Sequence, residues 1–175
     1  MKVRLWFASL CGMLFFSNLQ AGTIEYSVTP LGGNQYSYTY SLSGFSLTQG
    51  NEIDIRFDPA SYGSLSNGTA GSDFTLLVLQ PNNPPGTFGD YSATAKVNNP
   101  SLAGSFGVNF TWLGAGPPGS QPYQVNAYDS VLGQQILDRG ITVPSGTPGV
   151  PEPTTFSLAL LALVSGAVFT RRRRA

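Results

Sequence analysis

Tyr36-Ser37-Tyr38-Thr39-Tyr40-Ser41-Leu42 alternates without a break between large apolar or aromatic residues and small polar ones. A period of two belongs to a β-strand, whose successive side chains point to opposite faces, so this stretch has one face for a core and one for water. Upstream, across Gly32-Gly33, Ile24, Tyr26 and Val28 alternate with Glu25 and Ser27. Two such runs on either side of a glycine turn read as a hairpin. Downstream, Ile53, Ile55 and Phe57 alternate with Asp54, Arg56 and Asp58, and Val108, Phe110 and Trp112 with Asn109 and Thr111. Phe74–Leu79 is a continuous apolar run and predicts a buried strand. Tyr91–Val97, Tyr123–Tyr128 and Ile136–Thr142 bring the expected strands to about eight, and nothing between Thr23 and Thr142 has helical periodicity over ten residues. Pro81–Gly86 and Gly114–Ser120 read as loops. The expected fold is all-β: a single antiparallel β-sandwich, jelly-roll or immunoglobulin-like, flanked by an N-terminal signal helix and a C-terminal transmembrane helix.

Only 10% of the 175 residues are charged, against roughly 25% in an average soluble domain. The 21 Gly and 13 Pro supply turns, and 12% aromatic content argues against disorder. The neutral net charge conceals an uneven placement. Between Gly22 and Gly149 only Arg56, Lys96 and Arg139 are basic, against eight carboxylates, a net of −5. Phosphate binding needs basic patches, so nucleic acid is not an expected partner. The single cysteine, Cys11, lies in the apolar leader, and there is no histidine. Without them a serine triad, thiol catalysis and typical zinc sites are excluded in their usual forms, and no cofactor is expected.

The two ends differ in kind from the body. Lys2 and Arg4 precede the apolar run Leu5–Phe16, and Ala21-Gly22 closes the stretch. That is the layout of a secretory signal peptide cut after Ala21, the competing reading being a buried N-terminal helix. At the other end, Val150-Pro151-Glu152-Pro153 leads into residues 154–170, seventeen residues without a charge, and then Arg171-Arg172-Arg173-Arg174. As a helix the uncharged run spans about 25 Å, at the short limit for a bilayer. The arginines act as a membrane stop signal that stays cytoplasmic and leaves the body outside. Pro151 and Pro153 keep the approach extended and open to a protease.

Pro-Glu-Pro, a short apolar helix and terminal arginines, in this order, resemble the sorting tail of PEP-CTERM proteins of Gram-negative bacteria that make exopolysaccharide. The resemblance implies recognition by exosortase, an integral-membrane cysteine protease, with cleavage at or near Pro151-Glu152-Pro153. It further implies release or transfer to the cell surface or extracellular matrix, in association with exopolysaccharide. A plain C-terminal anchor on a Pro-rich stalk is the competing reading. Phe110–Tyr123 is also similar to a stretch in the bodies of small members of this family, and that similarity implies no activity.

Within the body the candidate sites each have a plainer account. Asp54, Asp58 and Asp73 could give oxygen ligands to calcium, yet they lack loop spacing, and Arg56 sits between two of them. Tyr38, Tyr62, Tyr91, Trp112, Tyr123 and Tyr128 are the pool for a sugar-stacking platform, though tyrosines at period two are mostly half-buried sheet residues. A glycosidase needs only two carboxylates, and the eight are scattered.

The expected organisation is therefore a signal peptide over 1–21, a β-sandwich over 22–145, a Gly/Pro linker with Pro-Glu-Pro over 146–153, and a transmembrane helix with its arginine tail over 154–175. The expected function is that of an exported, non-enzymatic surface or matrix protein. Its partners would be the secretion machinery, the inner membrane before processing, exosortase transiently, and exopolysaccharide. A carbohydrate-binding module is the alternative, and a small glycoside hydrolase the third reading.

Overall fold

The computed structural model describes residues 22–146. The signal peptide with its cut at Ala21, the Val150–Pro153 motif, the apolar run and Arg171–Arg174 lie outside the described residues. Ten strands follow one another: β1 Thr23–Gly32, β2 Gln35–Ser43, β3 Glu52–Phe57, β4 Tyr62–Thr69, β5 Phe74–Leu79, β6 Gly89–Ala95, β7 Phe106–Trp112, β8 Pro122–Asp129, β9 Gly133–Ile141 and β10 Val143–Pro144. They form two five-stranded sheets, β10-β1-β2-β7-β4 and β5-β6-β3-β8-β9. Every pairing among them is antiparallel except that of β1 with β10.

The alternation seen in the sequence becomes the inner face. Tyr38 and Tyr40 of β2 are buried while Ser37, Thr39 and Ser41 are not, and Tyr26 and Ile24 of β1 lie opposite Tyr40 and Leu42 in the ladder. The Tyr38 ring stacks on Phe110 of β7 at 4.5 Å and on Tyr40 at 5.6 Å. Across the sandwich it meets Phe57 of β3 at 6.4 Å, and Tyr40 meets Tyr91 of β6 at 5.9 Å. Each aromatic buries a large apolar area, and offset or edge-on ring pairs add about 0.5–1.5 kcal/mol beyond that. One cluster of 20 buried residues from both sheets forms the core.

Three elements depart from expectation. β4 was not expected as a strand: of Tyr62-Gly63-Ser64-Leu65-Ser66-Asn67-Gly68-Thr69, only Tyr62 and Leu65 are buried. Its ladder with β7 slips twice, so the buried positions fall three apart and the period of two is erased. β5, expected as a buried strand, is instead the edge of its sheet, with Leu77 and Leu79 about half exposed on the outer face. Its apolar run, broken only by Thr75, reflects an edge whose outer face carries Leu77 and Leu79, not burial on both faces. Finally, the stretch ending at Thr142 continues past the buried Thr142 into β10, which leaves the sheet of β9 and joins the other one beside β1.

Candidate functional site

β3 ends at Phe57 and turns through Asp58 into β4. Asp58 builds that turn: its Oδ1 accepts the Ala60 N–H at 2.9 Å, and its carbonyl accepts the N–H groups of Ser61 at 3.0 Å and Tyr62 at 2.8 Å. β7 ends at Trp112, and the loop that follows, rich in glycine and proline, returns to β8. Between these two connections lies an open cleft of about 530 Å³. Trp112 and Phe88 form apolar walls, Arg56 and Asp58 carry charge into it, and Tyr62 and Gln121 line its base.

The walls are fixed in place. The Trp112 ring stands edge-on to Tyr62 at 5.1 Å, and its Nε1–H donates to the Gly116 carbonyl at 2.8 Å, which ties the loop to the ring. The Arg56 guanidinium lies 4.7 Å from the centre of the Phe88 ring and 3.7 Å from Asp90. A cation over a ring is attracted by the negative face of the π-system, so Phe88 is held flat beneath it.

Beneath the cleft runs a buried polar network. Gln121 and Thr142 are fully buried. The Gln121 Oε1 accepts from the Tyr40 hydroxyl at 3.2 Å and from the Thr142 hydroxyl at 3.2 Å. Its Nε2 donates to the Tyr62 hydroxyl at 3.1 Å and to the Gly119 carbonyl. The Tyr38 hydroxyl donates to the Gly119 carbonyl at 2.7 Å and lies 3.0 Å from the Tyr62 hydroxyl. Burying a hydroxyl or amide is costly unless it is paired, and here each has partners. Burial pushes the hydroxyls of Tyr38, Tyr40 and Tyr62 above the ordinary tyrosine range, so they act as neutral donors.

The outer face of β3 carries a second polar group. Asp54 accepts from the Ser92 hydroxyl and, at 2.6 Å, from Asn126 Nδ2; Glu52 accepts from Thr94 at 3.1 Å. Desolvation first, and then the nearby Asp54 charge, raise the Glu52 carboxyl above its usual range. Desolvation likewise raises Asp90, with Asp54 adding to it and Arg56 opposing.

The structure separates most of the residues singled out from sequence. Asp54 lies on this outer face, Asp58 at the cleft, and Asp73 in another loop, where its Oδ2 accepts the Ser101 N–H at 2.9 Å. Among the described residues no group of three or more His, Cys, Asp or Glu side chains is placed to hold a metal. Of the aromatic pool, Tyr38, Tyr62, Tyr91 and Tyr123 are buried in the core. Tyr128 is exposed near the end of β8, and Trp112 is half-buried at the cleft. Gln121 and Phe88 were not singled out. Phe88 follows the Pro81–Gly86 loop with no alternation around it, and Gln121 sits among Pro and Gly with no sign of burial.

The family model of the PEP-CTERM protein-sorting motif matches residues 149–174. The chain carries a PEP-CTERM sorting motif. This match spans the Pro-Glu-Pro signature, the apolar run and all four arginines, so the PEP-CTERM reading of the tail stands on the whole segment rather than on three residues. No curated protein and no solved structure matches the chain. The PEP-CTERM tail concerns sorting alone, and the β-body is read from its own chemistry.

Proposed function

We propose that the chain is an exported surface or matrix protein. In this reading a leader ending at Ala21 carries the body out, and exosortase cuts at Val150-Pro151-Glu152-Pro153 while Arg171–Arg174 hold the tail in the cytoplasm. The observation that carries it is the sorting motif over residues 149–174. Intact mass and terminal sequence of the protein from its native host test it. A chain running from Gly22 to the Pro151–Pro153 region, only when exosortase is active, is the expected result; a chain keeping Arg171–Arg174 in both backgrounds refutes it.

Within that role the body is a non-enzymatic binder of exopolysaccharide, and the cleft is what favours this. Trp112 and Phe88 offer apolar faces for a sugar ring, with Arg56, Asp58, Ser61 and Ser120 beside them for hydroxyl groups. Hydrolysis by a carboxylate pair would need a second acid facing Asp58, and Asp58 is the one carboxylate lining the cleft among the described residues. Trp112→Ala is expected to weaken retention on the host's exopolysaccharide at least tenfold, while Tyr128→Ala, outside the cleft, leaves it unchanged. Equal retention by both variants would discard the cleft as the binding site. We also read the strand order as immunoglobulin-like rather than jelly-roll. β1-β2-β7-β4 facing β3-β8-β9 has the A-B-E-D and C-F-G connectivity, with β5 and β6 added as an extra hairpin beside β3.

A further inference from the structure

Gly22, the first described residue, is buried rather than frayed. Its backbone N–H donates to Asp138 Oδ2 of β9 at 3.1 Å, and its carbonyl accepts from the Tyr123 hydroxyl of β8 at 2.9 Å. The Phe45 ring closes over it: a Cβ added at Gly22 would fall 1.9 Å from Phe45 Cε1, so any other residue would displace the ring. Phe45 in turn stands edge-on to Tyr123 at 6.1 Å. Chain termini are ordinarily loose unless something ties them down. Here a carboxylate, a phenol and a ring converge from three other segments on one backbone unit.

We propose that leader removal turns this contact into an ion pair, the Gly22 ammonium seated on Asp138, which locks the start of β1 into the sandwich. The proposal rests on the cut after Ala21. Hydrolysis of the Ala21–Gly22 amide consumes one water, leaves a carboxylate on Ala21, and leaves on Gly22 an ammonium where an amide N–H had been. The bond to the Asp138 carboxylate thereby gains a full positive charge on its donor and becomes an ion pair. An order of events follows. A peptidase needs an extended, accessible bond, and Gly22 is covered by Phe45 once β1 is docked, so cleavage precedes docking and the fold is completed by the cut. The pocket is thus a receptor for the protein's own new N-terminus.

The test uses the full chain, exported with its leader from a Gram-negative host and recovered from outside the inner membrane. A chain starting at Gly22 has only two amines, its own α-amine and the exposed Lys96. A free α-amine titrates near pH 8 and a lysine near pH 10.4, so at pH 7 an acylating reagent takes the free α-amine first. Docking inverts that order: peptide mass spectrometry should find Lys96 acylated before Gly22. Asp138→Asn should raise the Gly22 rate at least tenfold and restore the ordinary order. Tyr123→Phe, which keeps the ring and loses only the bond to the Gly22 carbonyl, should raise it less. A wild-type chain that starts at Gly22 and acylates there first overturns the docking while leaving the cut intact. A chain starting at any other residue overturns the cut, and the docking with it. If Asp138→Asn fails to fold, the order of labelling in the wild type still decides.

Discussion

Gln121 holds both sides of the sandwich together through a single uncharged amide. It joins Tyr40 of β2, Tyr62 of β4 and Thr142 beyond β9 in one buried network. Gln121→Leu keeps much of the volume but strands the Tyr40 hydroxyl, an unpaired polar group costing about 1–3 kcal/mol, while Tyr62 keeps Tyr38 and Thr142 keeps the backbone N–H of residue 121. Urea denaturation should therefore show a loss of about 2 kcal/mol, and a loss below about 1 kcal/mol would mean that water replaces the amide. Glu52 works in the opposite sense. Its carboxyl is raised by desolvation and by Asp54, so the folded state prefers it neutral. Its stabilising contribution is present at low pH and is lost as pH rises through the folded pKa. Glu52→Gln should accordingly unfold at higher urea than wild type at pH 7, with the gap closing towards pH 4. Single residues were unevenly legible in the sequence. The buried tyrosines of β2 were announced by their spacing, whereas Gln121 and Phe88 derive their roles from neighbours far along the chain, which spacing does not reveal.

Strands that repeat every second residue were readable because each has one wet face and one dry face, as β1, β2, β3 and β7 do. β4 escaped since its slips against β7 break the period, and β5 was misjudged because an edge can be apolar on both faces. The cleft was legible only as its Gly114–Ser120 loop: that this loop meets the turn after β3 is a property of the pairing of Tyr62 with Trp112. β7 is the strand on which its sheet depends, paired on both sides with β2 and β4. At Gly107 it passes so close to β2 that a Cβ would fall 2.6 Å from the Tyr38 carbonyl oxygen. Gly107→Ala should destabilise by about 2 kcal/mol through forced backbone movement, and an unchanged melting temperature would contradict that packing. Hydrogen exchange should rank the elements the same way. Amides of β2 and β7 should be the slowest, and that of Val143, the single N–H of the two-residue edge strand β10, among the fastest.

For the molecule as a whole, stability should be lost on the alkaline side. Burial raises Tyr38, Tyr40, Tyr62 and Tyr91 above the ordinary value near 10. In the unfolded chain these phenols release protons near pH 10 while the folded chain still holds them, so stability is full below that pH and falls as pH rises beyond it. Urea midpoints between pH 8 and 11 should fall steeply above about pH 10 and less steeply for Tyr40→Phe; identical slopes would remove the buried phenol from the explanation. The arrangement at β10 has a mechanical side. Because β10 runs parallel to β1, a tug on the chain after Ser145 drags it lengthwise along its neighbour, to which it is held by the short ladder and by the bond from Ser145 N–H to the Tyr26 carbonyl at 2.8 Å. Behind it the fully buried Thr142 is clipped to Gln121 by backbone and hydroxyl alike. A body under tension from its tail would load this two-residue ladder first and Thr142 only after it. That short stretch is a fuse between whatever pulls on the tail and the sandwich that must stay folded.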